Sequence, residues 1–90
     1  MNRLELKIFG NIQGVGLRRF VQKKAESFFL KGFVQNQPDG SVLVVAEGTE
    51  KNLRAFVGML SKSPYYPDIE TLESKWETPQ GLFVGFEIRA

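Results

Sequence analysis

With 90 residues, a net charge of +2 and 42% hydrophobic residues, the chain has an ordinary globular composition. This length predicts one domain over residues 1–90 with a modest core. The absence of His and Cys excludes imidazole bases, thiol catalysis, disulfides and thiolate metal sites. A charged, alternating N-terminus and the lack of a long apolar run predict a cytoplasmic protein without a signal peptide or membrane span.

The first predicted element is a strand, because Leu4, Leu6 and Ile8 alternate with charged residues. The stretch from Gly10 to Arg18 then joins this strand to a helix. Its glycines permit positive φ, so consecutive backbone N–H groups of the loop and the first helical turn could face one anion. The candidate anion-binding residues are Gln13, Gly14, Val15, Gly16, Leu17 and Arg18.

Arg18 adds a permanent positive charge whose planar fork can hold two oxygens of one phosphoryl group. The stretch lacks the Gly-Lys-Ser/Thr of a P-loop and the third glycine of a dinucleotide-binding turn. Residues 1–35 contain seven basic and two acidic groups, which suits a small anionic ligand or a solvated helix face. A tight strand-to-helix turn without function would use the same residues, so the motif alone leaves both interpretations open.

From Leu17 the apolar period becomes helical and predicts about three turns that Gly32 ends, with the Phe residues of this segment in the core. A short strand over 33–36 and a turn at 37–40 lead to a third strand over 41–47. Asn36, just before the turn, could hold a water molecule with its amide or could bond to its own backbone.

Thr49 is predicted to cap a second helix whose apolar stripe ends near Leu60, and two prolines in 63–68 prevent its continuation. A fourth strand is predicted over 69–77, with a bulge between Ile69 and Leu72. Alternation from Leu82 to Ile88 predicts a fifth strand. This order, βαββαβ with an additional C-terminal strand, predicts an α+β ferredoxin-like split βαβ sandwich with two helices on one face of an antiparallel sheet.

Two motifs in this framework resemble those of the acylphosphatases. They are Gly10-x-Ile-Gln-Gly-Val-Gly-Leu-Arg18 and Gly32-Phe-Val-Gln-Asn-x-Pro-Asp-Gly-Ser-Val42. The resemblance implies a small cytoplasmic enzyme that cleaves acyl phosphates to carboxylate and inorganic phosphate without a metal or organic cofactor. It also implies that Arg18 binds phosphate with the loop amides and that Asn36 positions the attacking water.

The chain departs from the family pattern at Leu17, Arg19, Gln35 and residues 64–67, which affects substrate preference more than the reaction. An alternative is a non-catalytic acylphosphatase-like phosphate-binding or accessory module. An RNA-binding ferredoxin-like domain is disfavoured, because the third strand carries no aromatic residue. The expected partner is a small-molecule acyl phosphate, with no nucleic acid and no membrane, and the expected state is a monomer.

Overall fold

The computed structural model describes residues 1–14 and 16–90, so Val15 of the predicted anion-binding loop lies outside the described residues. Strands and helices follow one another in the predicted order. They are β1 (Asn2–Gly10), α1 (Leu17–Ser27), β2 (Lys31–Asn36), β3 (Val42–Gly48), α2 (Glu50–Leu60), β4 (Ile69–Glu77) and β5 (Phe86–Arg89), with a 3-10 turn at Tyr66–Asp68 before β4.

The strands form one sheet in the order β4-β1-β3-β2-β5. β1 pairs antiparallel with β3 and β4, and β2 pairs antiparallel with β3. These four strands confirm the predicted antiparallel sandwich. β5 differs, because it lies parallel to β2, with Gly32 opposite Phe86 and Gln35 opposite Arg89. The C-terminal strand therefore extends the sheet beside the strand that carries Asn36.

Both helices pack on the same face of the sheet, as predicted. Inward-facing residues of β1, β2 and β3 form one cluster with the apolar stripes of α1 and α2. Burying such side chains is the main stabilising contribution in a domain of this size. The fully buried members of largest volume are Leu6, Ile8, Ile12, Leu17, Val21, Leu53, Phe56 and Leu60.

The start of α2 and the bulge in β4 agree with the sequence. Thr49 Oγ1 accepts a hydrogen bond from the Asn52 amide at 3.1 Å and caps α2. In β4, Thr71 lies opposite Phe9 and Ile69 lies opposite Gly10, so Glu70 is the extra residue of the bulge. None of the helices formed by residues 1–14 and 16–90 has the length and apolar character needed to cross a membrane.

The end of α1 differs from the prediction. The helix stops at Ser27, and Phe29 takes a positive φ of 58° although it is not glycine. Phe29 is 84% exposed, so its placement in the core was wrong, whereas Phe20 and Phe28 pack against the core. Gly32 lies within β2 rather than ending the helix, and a side chain there would collide with the Val45 carbonyl oxygen.

The fifth strand is shorter than its apolar alternation predicts. It begins only at Phe86, and Leu82 and Val84 are 74% and 94% exposed. The preceding segment is held instead by the buried carboxylate of Glu47, which accepts hydrogen bonds from the Gln80 and Gly81 amides at 2.8 and 3.0 Å. The predicted strand was too long, because Glu47 holds the backbone at Gln80 and Gly81 and the pairing of β5 with β2 starts only at Phe86.

Candidate active site

The loop between β1 and α1 adopts a left-handed conformation at both of its central glycines. Gly14 has φ of 80°, and Gly16, the N-cap residue of α1, has φ of 89° and ψ of 8°. Residues with a Cβ rarely adopt these values. No side chain of residues 1–14 or 16–90 caps α1, so the amides of its first turn remain available to a ligand, at the positive end of the helix dipole.

The loop is attached to two neighbouring elements. Gln13 Nε2 donates hydrogen bonds to the carbonyl oxygens of Gln37 and Ser41, each at 3.0 Å, and so joins the loop to the β2–β3 turn. On its other side, the Asn11 amide donates to the Asp68 carbonyl oxygen at 3.1 Å. These contacts fix the loop at Asn11 and at Gln13, which favours a preformed anion site.

Arg18 lies in the first turn of α1 and is half-buried. Its Nη1 donates a hydrogen bond to the Arg89 carbonyl oxygen of β5 at 3.1 Å. The guanidinium has five N–H donors in total, so this contact orients the fork and leaves most donors for a ligand. The Arg89 side chain itself stacks on the Phe33 ring, 3.9 Å from the ring centroid, so Arg89 contributes its backbone here.

Asn36 ends β2 and pairs in register with Val42 of β3. Its Oδ1 is buried and has no hydrogen-bond partner among residues 1–14 and 16–90. The turn is closed instead by Asp39 Oδ1, which accepts from the Ser41 amide at 2.9 Å and from the Ser41 hydroxyl. An unpaired buried amide oxygen is costly unless a water or ligand satisfies it. This geometry favours a water-binding role for Asn36 over the turn-stabilising one.

A cleft of about 350 Å³ opens between the loop and the ends of β2 and β5. Arg18 and Asn36 both line it. No carboxylate side chain is among its lining residues in the described part of the chain, so the potential inside favours an anion. The lining residues are Ile12, Gly14, Gly16, Leu17, Arg18, Arg19, Asn36 and Ile88.

The β2–β3 turn that faces the loop carries one perturbed carboxyl group. Hydrogen bonds from the Ser41 hydroxyl and amide lower the pKa of Asp39, and the nearby Lys7 ammonium lowers it further. Lys7 Nζ lies 3.6 Å from Asp39 Oδ2. Asp39 therefore stays ionised across the neutral range. Its hydrogen bonds keep the β2–β3 turn, to which Gln13 is bonded, in one conformation.

Most of the predicted site residues line the cleft, but not all of them do. Gly14, Gly16, Leu17, Arg18 and Asn36 line the cleft, Gln13 does not, and Val15 lies outside the described residues. The Leu17 side chain is buried in the core, so only its backbone can serve a ligand. Sequence reasoning missed Ile88 and the Arg89 carbonyl, because a backbone acceptor on a distant strand leaves no signal in residue type.

Comparison with known proteins agrees with this geometry. The Acylphosphatase family model matches residues 4–88. The acylphosphatase of Thermus thermophilus is 42% identical over 88 residues, which cover 98% of this chain and 99% of the relative. The crystal structure of acylphosphatase from Bacillus subtilis has a TM-score of 0.91 and 32% identity, with 100% of each chain covered.

A larger protein also contains this fold. The crystal structure of T. kodakarensis HypF matches with a TM-score of 0.85 and 33% identity, covering 100% of this chain but 12% of HypF. The Thermus and Bacillus relatives, in contrast, are matched over nearly their whole length. Because the family model extends over almost every residue and these full-length relatives share its fold, this chain is a member of the acylphosphatase family.

Proposed function

We propose that this chain hydrolyses the carboxyl–phosphate bond of acyl phosphates, and that the cleft between the β1–α1 loop and β2 is its active site. The observation that supports this best is that Arg18 and Asn36, which belong to separate sequence motifs, line the same cleft. Family membership supplies the reaction class, and the cleft supplies groups suited to it.

In the proposed mechanism the phosphoryl group rests on the loop amides and on Arg18. The transition state for phosphoryl transfer is loose, with charge spread over three equatorial oxygens in line between nucleophile and leaving group. Preorganised donors aimed at those oxygens lower the barrier without rearranging during the reaction. The Arg89 carbonyl contributes by fixing the direction of the Arg18 fork.

Asn36 is proposed to orient the attacking water through its buried Oδ1. The water oxygen forms a bond to phosphorus while the bond from phosphorus to the acyl oxygen breaks. The acyl oxygen leaves as a carboxylate, which needs no general acid because a carboxylate is a weak base. The proton of the water passes to a phosphoryl oxygen, so the step balances without a protein base, and the chain has no histidine to provide one.

The monomer and the cytoplasmic location remain predictions. Every side chain in the proposed mechanism belongs to one copy of the chain, which supports a monomer as the active unit. The mechanism likewise assigns no step to a metal, an organic cofactor or a nucleic acid.

The HypF match supports a second candidate, in which the domain binds phosphate or assists a partner without turnover of its own. The match to HypF covers 12% of that protein, so the same fold also occurs as a small part of a much longer chain. The cleft would be the same in both cases. Turnover by the isolated chain separates the two functions.

The test is steady-state hydrolysis of benzoyl phosphate in EDTA by the wild type, Arg18→Ala and Asn36→Ala, with folding followed by circular dichroism. We expect turnover in the wild type and its loss in both folded variants. Asn36→Ala should mainly lower kcat and still bind phosphate. A folded wild type that binds phosphate but hydrolyses nothing would favour the accessory module.

A further inference from the structure

Arg19 lines the active-site cleft but has no part in the proposed mechanism. Its side chain is exposed, and none of the ion pairs found in the described ranges 1–14 and 16–90 involves it. The guanidinium of a residue that lines a ligand cleft can bind an anion brought by the ligand, and none of the lining residues in the described ranges carries a carboxylate.

Arg18 and Arg19 are consecutive residues of the first turn of α1, and their side chains point in different directions. Consecutive residues of a helix project about 100° apart, since 3.6 residues complete one turn. Leu17 faces the core, Arg18 faces β5 through its bond to the Arg89 carbonyl, and Arg19 faces solvent. The two side chains therefore leave the cleft-lining turn in different directions, Arg18 toward β5 and Arg19 toward solvent.

The other lining residues have a similar division. The side chains of Ile12 and Leu17 are buried beneath the cleft, whereas Gly14, Gly16 and Arg19 are exposed at its rim. The volume of about 350 Å³ lies in the range of small-molecule clefts and exceeds what a phosphoryl group alone would fill. An acyl group attached to the bound phosphoryl group can thus extend along the cleft and end at the rim.

We propose that Arg19 binds a second anionic group on the acyl part of the substrate, so that the preferred acyl phosphates carry a carboxylate or phosphate at the far end. The proposal rests on the proposed function, since it assigns the acyl group to the same cleft. Binding oxygens of either anion is ordinary guanidinium chemistry.

The test compares benzoyl phosphate with 4-carboxybenzoyl phosphate, which differs by one carboxylate at the far end of the acyl group. The enzymes are the wild type, Arg19→Gln and the matched control Lys23→Gln, which removes one charge from the next turn of α1. Lys23 is exposed and does not line the cleft. Using 4-phosphonobenzoyl phosphate as a third substrate distinguishes a carboxylate preference from a phosphate preference.

In the wild type we expect kcat/KM to favour the carboxylated substrate by about fivefold, the size of one exposed ion pair. Arg19→Gln should remove this preference, because it should lower kcat/KM for the carboxylated substrate more than kcat/KM for benzoyl phosphate. Lys23→Gln should keep the preference. Raising the ionic strength should reduce the preference in the wild type, because exposed charges are screened.

An equal loss for both substrates in Arg19→Gln would overturn the proposal and assign Arg19 to the phosphoryl group. An unchanged preference would overturn it as well. If the wild type hydrolyses neither substrate, the proposed function fails, and titration with benzoylphosphonate and its 4-carboxy derivative decides the role of Arg19 by itself. Tighter binding of the carboxylated compound that is lost in Arg19→Gln would support it, and equal binding of the two compounds would refute it.

Discussion

The Nη1 atom of Arg18 lies 3.1 Å from the main-chain carbonyl oxygen of Arg89. A residue of the first helix is thereby oriented by the last strand, and the contact requires β5 to lie beside β2 in parallel register. The phosphate-binding candidate thus depends on the addition of the C-terminal strand to the sheet.

Arg18→Lys should remove most activity although the charge is kept. A lysine ammonium has no planar fork and cannot bond to the Arg89 carbonyl and to two phosphoryl oxygens in the same geometry. We expect kcat/KM for benzoyl phosphate to fall. The corresponding activation free energy should rise by at least ~2.7 kcal/mol, the scale for one preorganised donor. The control is Arg54→Lys in the exposed Arg54–Glu50 pair of α2. Activity of Arg18→Lys within a few-fold of wild type would contradict the assigned role.

Gly14→Ala should separate the loop's role in catalysis from its role in folding. Gly14 has φ of 80° and open space at its Cβ position, and so does Gly40, with φ of 90°, in the β2–β3 turn. Each alanine should cost about 1–2 kcal/mol of unfolding free energy through left-handed strain. Gly14→Ala should also lower kcat/KM at least ~10-fold, because the loop amides move, while Gly40→Ala keeps near-wild-type activity. Urea unfolding and kinetics measure both quantities, and equal activities would argue against the loop as the phosphate site.

Gln13→Ala should loosen the connection between the loop and the β2–β3 turn. The substitution removes the bonds to the carbonyl oxygens of Gln37 and Ser41, at a stability cost of about 1 kcal/mol. We expect kcat/KM to fall by ~10-fold or more, because the amides and Asn36 lose their fixed separation. Gln22→Ala, which removes a similar bond to the Phe86 carbonyl, is the control of matched chemistry. If both variants lose stability alike and neither loses activity, Gln13 is a purely structural residue.

Asp39→Asn should destabilise the protein at neutral pH but not in acid. Hydrogen bonds from Ser41 lower the pKa of Asp39 in the folded state below its usual value of ~3.9. A lowered folded pKa gives a stability contribution that is present above the unfolded pKa and is lost as the pH falls through the folded pKa. Denaturant midpoints at several pH values should therefore differ between wild type and variant at pH 7 and converge as Asp39 protonates. A constant difference down to the lowest pH would show that the charge of Asp39 does not matter.

Most of the strands and helices could be predicted from the sequence, because the patterns that indicate them involve residues close together in the chain. The alternation of β1, the helical period of α1 and the Thr49 cap of α2 depend on residues within one or two turns of each other. The bulge at Glu70 was also visible, because the apolar phase slips there within three residues.

Contacts between residues far apart in the sequence could not be predicted from local patterns. Leu82 and Val84 alternate as a strand would, yet Glu47 holds the neighbouring amides in a loop across 33 or 34 residues of sequence. The glycine loop, Arg18 and Asn36 are local features that the amino-acid sequence already shows. They meet in one cleft because β1 and β2 lie on either side of β3, β5 pairs with β2, and Gln13 bonds to the β2–β3 turn, and these contacts join segments that are far apart in the sequence.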